Sequence, residues 1–182
     1  MGIPAKEALD QGLTNAIDNL VEYYLNAPPR CRVLALQELD HPLSSESPDG
    51  TSRTMISSSI GLSGEGFRAS LNILAHTSTL VRLCPEQVRH PLDWAGELVN
   101  QLIGRVKNMV SEYGVACHMS LPVSVHGADI GYSENLAEAM ALHIDTDAGP
   151  LVSLWHVRTE PNLEWEHDPD QASADEGSLC LF

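Results

Sequence analysis

Two long stretches of the chain carry apolar residues at the three- and four-residue spacing of an amphipathic helix. The first stretch, 5–24, is followed by two prolines, which cannot continue a helix. The second, 91–113, begins at a proline, and Gly114 provides a stop signal. A shorter helix is predicted over 77–84. The longest helix has one broad apolar stripe: Leu92, Ala95, Leu98, Val99, Leu102, Ile103, Val106, Met109, Val110 and Tyr113.

Apolar runs bounded by turn residues predict strands elsewhere. The stretch 55–75 predicts a hairpin, because the glycines of 63–66 tolerate the positive φ angles of a tight turn. A second hairpin is predicted between 136–144 and 151–157. Two single strands and a polar loop complete the prediction: 32–39, 115–121 and 41–53.

The order of these elements is similar in the two halves of the chain, at an offset of about 85 residues. With 182 residues and 43% hydrophobic residues, the chain is long and apolar enough for one globular domain. We predict an α/β (α+β) fold with a largely antiparallel sheet, helices packed against it, and pseudo-duplicated half-domains.

The formal net charge is −15, from 25 acidic and 10 basic residues. Nucleic acids and anionic membrane surfaces both need a cationic footprint, so we predict binding to neither. The chain has no apolar run approaching the roughly 20 residues of a membrane span, and no signal-peptide pattern. We therefore predict a cytoplasmic protein.

The charge is unevenly distributed. Residues 159–182 contain seven acidic residues and no lysine or arginine. We predict a folded domain over 1–158 and an acidic tail over 159–182, mobile or draped over the surface.

Cysteines and histidines give no metal signature. The four cysteines form no CxxC pair, and the eight histidines form no HxH or HxxxH pair. We predict reduced, mostly buried thiols and no metal site.

The polar side of the helix over 91–113 carries the candidate chemistry. Asp93, Glu97, Asn100 and Gly104 cluster opposite the apolar stripe, and Glu97 and Asn100 are neighbours at i and i+3. A glycine inside a helix costs about 1 kcal/mol relative to alanine, which a surface approached closely by another backbone would explain. The alternative is an ordinary solvated helix face. Trp94, at the edge of this face, is either a core residue or an interface anchor.

Two segments carry a family resemblance. They are 93–107 (DWAGELVNQLIGRVK), with a D-xxx-E-xx-N signature and a glycine four residues after the asparagine, and 121–127 (LPVSVHG). The glycine-containing turn in 60–66 adds to them. The chain resembles the CheC/CheX/FliY phosphatases of bacterial chemotaxis, and CheX most closely.

The resemblance implies a phosphatase for the aspartyl phosphate of a CheY-like receiver domain. It implies that Asn100 orients the attacking water and that Glu97 pairs with the receiver's active-site lysine. Asp93, Gly104 and Trp94 would support the contact surface. No covalent intermediate and no metal bound by this chain are expected, because the receiver supplies Mg²⁺. CheX-like proteins dimerise, which implies a homodimer.

One departure concerns the number of sites. CheC-like members repeat the signature on their first helix, whereas here Asp10 stands three residues after Glu7 where the signature has an asparagine. We therefore expect one active site per chain, and an activity largely unaffected by deletion of 162–182. A binding module that docks a receiver without turnover remains an alternative, as does a structural oligomer.

Overall fold

A computed structural model of the protein describes residues 2–25, 30–34, 54–85, 90–128, 130 and 139–167. Within these ranges the helices are Ala5–Leu25 (α1), Thr77–Leu83 (α2) and Pro91–Ser111 (α3). The strands are Ile3–Pro4 (β1), Arg30–Leu34 (β2), Thr54–Gly64 (β3), Phe67–His76 (β4), Cys117–Met119 (β5), Val123–Ala128 (β6), Met140–Asp145 (β7), Leu151–Thr159 (β8) and Glu164–Trp165 (β9).

Both long helices form as predicted, because each pairs a continuous apolar stripe with clear end signals. Pro91 opens α3 at its first turn, where its missing N–H is not needed for an intrahelical bond. Gly114 adopts a φ of 70° after the helix, a conformation that favours glycine. The apolar stripes of α1 and α3 pack against each other and against the sheet, with Leu13, Ile17 and Ile103 fully buried.

Seven of the described strands form one antiparallel sheet. The order is β2-β7-β8-β4-β3, and β5 and β6 both pair with the outer edge of β3. The predicted hairpins are β3–β4, which turns through Gly66 at a φ of 74°, and β7–β8. The predicted fold class is therefore confirmed: helices pack on a sheet whose described strand pairs are all antiparallel.

The predicted repeat appears in the topology. α1 begins at residue 5 and α3 at residue 91, while the hairpins begin at residues 54 and 140. One strand of each half pairs with the hairpin of the other half: β2 pairs with β7, and β5 pairs with β3. The two halves therefore build one sheet, and α1 and α3 occupy equivalent places on it.

The region between α3 and β7 departs from the prediction. The strand predicted over 115–121 is the shorter β5, and β6, which begins directly after Pro122, was not predicted. Proline lacks the N–H that a strand ladder needs, so the pairing to β3 is interrupted at this bend. The strand predicted over 32–39 is described only to residue 34, and the loop predicted over 41–53 lies outside the described residues.

The predicted domain boundary at 158 is too early. β8 continues to Thr159, and β9 pairs with β1 at the start of the chain. Trp165 is only 5% exposed, and the carbonyl oxygen of Leu163 accepts a hydrogen bond of 2.9 Å from the N–H of Ala5. The folded unit therefore includes residues to 167, and 168–182 lies outside the described residues.

No helix in the described ranges is long and apolar enough to cross a membrane. The described cysteines differ from their prediction in one respect: Cys117 is buried, but Cys31 and Cys84 are only half-buried.

Cys31 is expected to react slowly with alkylating reagents. Its thiol donates to the Asp18 carboxylate on α1 (Sγ to Oδ1, 3.7 Å), and burial, reinforced by Asp18, raises the pKa of Cys31 to about 11. A raised pKa favours the neutral thiol, so at pH 8 Cys31 holds about a hundredfold less reactive thiolate than an ordinary cysteine. Peptide mapping after timed iodoacetamide labelling measures this, with faster labelling expected in Asp18→Asn. Labelling as fast as in the urea-unfolded chain would contradict it.

Candidate active site

The outer face of α3 presents the predicted catalytic pair to solvent. Asp93 and Glu97 are exposed and Asn100 is half-buried, all within two helical turns. The spacing of four and three residues places their side chains along one side of the helix. Burial of both Glu97 and Asn100 against the sheet would exclude a site here, but both side chains are accessible to solvent.

An open groove runs between this face of α3 and the bend joining β5 to β6. Asp93, Glu97 and Asn100 line one side, and residues 119–122 with Ser124 line the other. Gly96 permits the close approach of the two walls, because a Cβ at this position would lie 3.3 Å from Ser124 Oγ. Sequence analysis did not predict this role for Gly96, although a glycine directly before Glu97 was a signal in the sequence.

The Glu97 carboxylate is oriented from the side of α1. Its Oε1 accepts a hydrogen bond of 2.7 Å from Gln101 Nε2, and Gln101 Oε1 accepts one of 2.9 Å from the hydroxyl of Tyr24. Sequence analysis missed Gln101 and Tyr24, because their contact spans 77 positions. The arrangement leaves the second Glu97 oxygen available to a partner.

Of the two interpretations of Trp94, the structure supports the core residue, and its placement in the partner-contact surface is wrong. It is 2% exposed, and its ring packs edge-to-face on Tyr24 at a centroid distance of 4.8 Å. Position 94 lies at the border of the apolar stripe, and the neighbouring α1 covers that border. Trp94 therefore supports the site from inside the core.

Gly104 lies one turn beyond Asn100, and a Cβ added there would meet no heavy atom within 4 Å. Packing within the described chain therefore does not explain a glycine here. The role of Gly104 in contact with a partner stays a prediction.

The equivalent face of α1 is used differently. Asp10 accepts a hydrogen bond from the indole of the buried Trp155 (3.0 Å), and its other oxygen pairs with Lys6 (2.7 Å). Its carboxylate is thus bound within the chain. The expectation of one site per chain stays a prediction.

The α3 groove combines an amide that can both accept and donate hydrogen bonds with two carboxylates. Among the described residues, no lysine or arginine lines it, and no cluster of three or more His, Cys, Asp or Glu side chains could hold a metal. Such a surface can bind a cationic group and orient a water molecule.

Among the comparisons with known proteins, only the one with solved structures gives similar proteins. No family model matches the chain, and no curated protein matches it. Among solved structures, the chemotaxis protein CheX from Vibrio vulnificus is similar, with 16% identity and a TM-score of 0.60 over 82% of this chain and 96% of that one. A CheC-like superfamily protein from Shewanella sp. PV-4 has 16% identity and a TM-score of 0.59, over 83% and 97% of the two chains.

A third similar structure is the CheX–CheY–BeF₃–Mg²⁺ complex from Borrelia burgdorferi, with 12% identity and a TM-score of 0.56 over 82% of this chain and 97% of that one. The resemblance deduced from the α3 signature is confirmed at the level of the fold. The chain has the fold of the CheC-like and CheX chemotaxis proteins.

Proposed function

We propose that the chain accelerates hydrolysis of the aspartyl phosphate of a CheY-like receiver domain in chemotaxis or two-component signalling. The observation that carries the proposal is the placement of Glu97 and Asn100 together, accessible to solvent, on the wall of the α3 groove. The similarity to a CheX structure solved in complex with CheY supports the choice of partner.

Asn100 is assigned to the attacking water. Hydrolysis of an acyl phosphate proceeds by in-line attack of water on phosphorus, with cleavage of the bond to the aspartate oxygen. The Asn100 carboxamide can accept a hydrogen bond from that water and donate one to a phosphoryl oxygen, which fixes the water in line. Mg²⁺ held by the receiver supplies charge neutralisation at the phosphoryl group, and this chain forms no covalent intermediate.

Glu97 is assigned to docking. Its carboxylate, held by Gln101, faces the groove, and the described residues of the groove wall include no lysine or arginine. A charge-assisted hydrogen bond to the receiver's active-site lysine would fix the orientation of the two proteins. Asp93 and Gly104 extend the same surface in opposite directions along α3.

The oligomeric state implied by the resemblance is a homodimer, and it is part of the proposal. Sedimentation equilibrium of the full chain at micromolar concentration tests it: a dimer mass is expected, and a monomer mass would contradict it.

The proposed activity is tested with a panel of receiver domains from the same genome. Phosphate release from each phosphorylated receiver is measured in Mg²⁺, with and without the chain, and binding to each receiver is measured after loading with beryllofluoride, a stable phosphoryl analogue. Binding together with faster release from at least one receiver is expected. Binding without acceleration would overturn the catalytic proposal in favour of a docking module, and neither binding nor acceleration would overturn both.

A further inference from the structure

The most exposed large apolar side chain among the described residues lies at the candidate site. Leu121 is 86% exposed, and together with Pro122 it forms the rim of the α3 groove opposite Glu97 and Asn100. Burial of an apolar side chain this exposed under a partner's surface stabilises the complex. Its position makes the candidate site a surface with one apolar and one acidic wall.

The bend that carries Leu121 is held in place by β3. The N–H of Ser120 donates to the carbonyl oxygen of Gly61 at 2.9 Å, and the N–H of Gly61 donates to Ser120 Oγ at 2.8 Å. The proline that follows Leu121 restricts the backbone further. Leu121 is therefore presented on an ordered segment, so binding through it costs little conformational entropy.

Two other exposed apolar residues follow on β6 but point elsewhere. Ser124 faces α3, as shown by its hydroxyl contact with Ser58 (2.9 Å) and its closeness to Gly96. Side chains alternate along a strand, so Val123 (62% exposed) and Val125 (51%) project from the opposite face of the sheet. Leu121 alone of the three lines the groove, which makes Val123 a matched control on the same edge.

The charge of the groove defines the rest of the partner's chemistry. Asp93 and Glu97 lie on the wall facing Leu121, and none of the groove residues that the structure describes is a lysine or arginine. Complementary surfaces place opposite charges together and cover apolar anchors at the centre of the contact. The complementary surface carries a cationic side chain next to an exposed apolar one.

We propose that Leu121 is the anchor that selects the receiver, by packing on an apolar side chain adjacent to the receiver's active-site lysine while Glu97 binds that lysine. The inference rests on the proposed function for the identity of the partner. It goes beyond that function in assigning partner choice to the β5–β6 bend, outside the helix that carries Glu97 and Asn100. In this arrangement Leu121 contributes to association, and Asn100 contributes to the chemical step.

The test compares Leu121→Ala with Val123→Ala in the full chain, using the receiver that the wild type binds best in the beryllofluoride-loaded form. Leu121→Ala is expected to raise Kd, and KM for phosphate release, about tenfold while leaving kcat within twofold, as for truncation of an interface anchor. Val123→Ala is expected to leave Kd and KM within twofold. The mass and thermal unfolding of each variant are measured in parallel.

The outcomes separate this inference from the proposed function. An unchanged Kd in a folded Leu121→Ala variant would overturn the inference while leaving the phosphatase proposal standing. A dimer that dissociates in Leu121→Ala, with receiver binding per chain unchanged, would assign the residue to a second copy and also overturn it. A third outcome is that Leu121→Ala weakens receiver binding more than Val123→Ala does, while the wild type does not accelerate phosphate release. This result would support Leu121 as the anchor and overturn the catalytic proposal.

Discussion

Replacing Asn100 by alanine is expected to lower kcat for phosphate release by about a hundredfold or more, with little change in receiver binding. The carboxamide is assigned to the attacking water, and removal of a group that acts only in the transition state lowers kcat without raising KM. Steady-state phosphate release at varied receiver concentration separates the two constants. Asn108→Ala, on the same helix two turns further along, is the matched control and should behave as the wild type.

Glu97→Ala should give the complementary result. Loss of the docking carboxylate is expected to raise KM at least tenfold, because the receiver's lysine loses its charged partner. Glu97→Gln retains the size and the contact with Gln101 but not the charge, and it should resemble Glu97→Ala if charge pairing dominates. A kcat loss at Glu97 with unchanged KM, together with a KM effect at Asn100, would reverse the two assigned roles.

Trp165→Ala is expected to lower the free energy of unfolding by about 3–5 kcal/mol, the usual cost of removing a buried tryptophan. Its ring lies edge-on to Phe67 (5.3 Å between centroids) and close to Tyr113 (5.8 Å), in the hydrophobic core. Urea denaturation followed by far-ultraviolet circular dichroism measures the change. Glu164→Ala, at the exposed neighbouring position, is the control and should change stability by less than about 0.5 kcal/mol. A loss below 1 kcal/mol at Trp165 would show that β9 is not part of the folded core.

This packing changes the expectation for the acidic segment. The sequence predicts that deletion of 162–182 spares activity. The deletion, however, removes the buried Trp165 and the Leu163 carbonyl oxygen that accepts a hydrogen bond from the N–H of Ala5. We now expect that deletion to destabilise the domain. A truncated chain must therefore be tested for folding before any loss of activity is assigned to the site.

The helix carrying the candidate site could be predicted from sequence because its information is local. The apolar stripe, the opening proline and Gly114 define α3, and the i, i+3 spacing alone places Glu97 beside Asn100. The hairpins could be predicted for the same reason, since their turns contain glycines and their strands are adjacent in the chain.

The features that sequence reasoning missed depend on contacts between distant residues. The pairing of β1 with β9 joins the two ends of the described chain, and no short-range pattern indicates it. The contact with Tyr24 from another helix decides between the two interpretations of Trp94, and the groove exists because β6 lies beside Gly96. Tertiary packing decides each of these, and periodicity on a single element does not report it.

The net charge is a coarse constraint on partners. A net charge of −15 describes the whole chain, whereas the candidate site has two carboxylates in a groove whose described lining includes no lysine or arginine. We expect short-range pairing in such a groove to contribute to partner choice more than total charge does, since charges beyond about 8–10 Å are screened at physiological salt.

The most direct test of the proposed activity is the single-turnover decay of a phosphorylated receiver in Mg²⁺, followed with excess wild-type chain, with excess Asn100→Ala, and with neither. The receiver is the one that the wild type binds in its beryllofluoride-loaded form. We expect the wild type to shorten the phosphoryl lifetime by about a hundredfold or more and Asn100→Ala to leave it close to the spontaneous value. Equal lifetimes with the wild type and with no added chain would contradict the account.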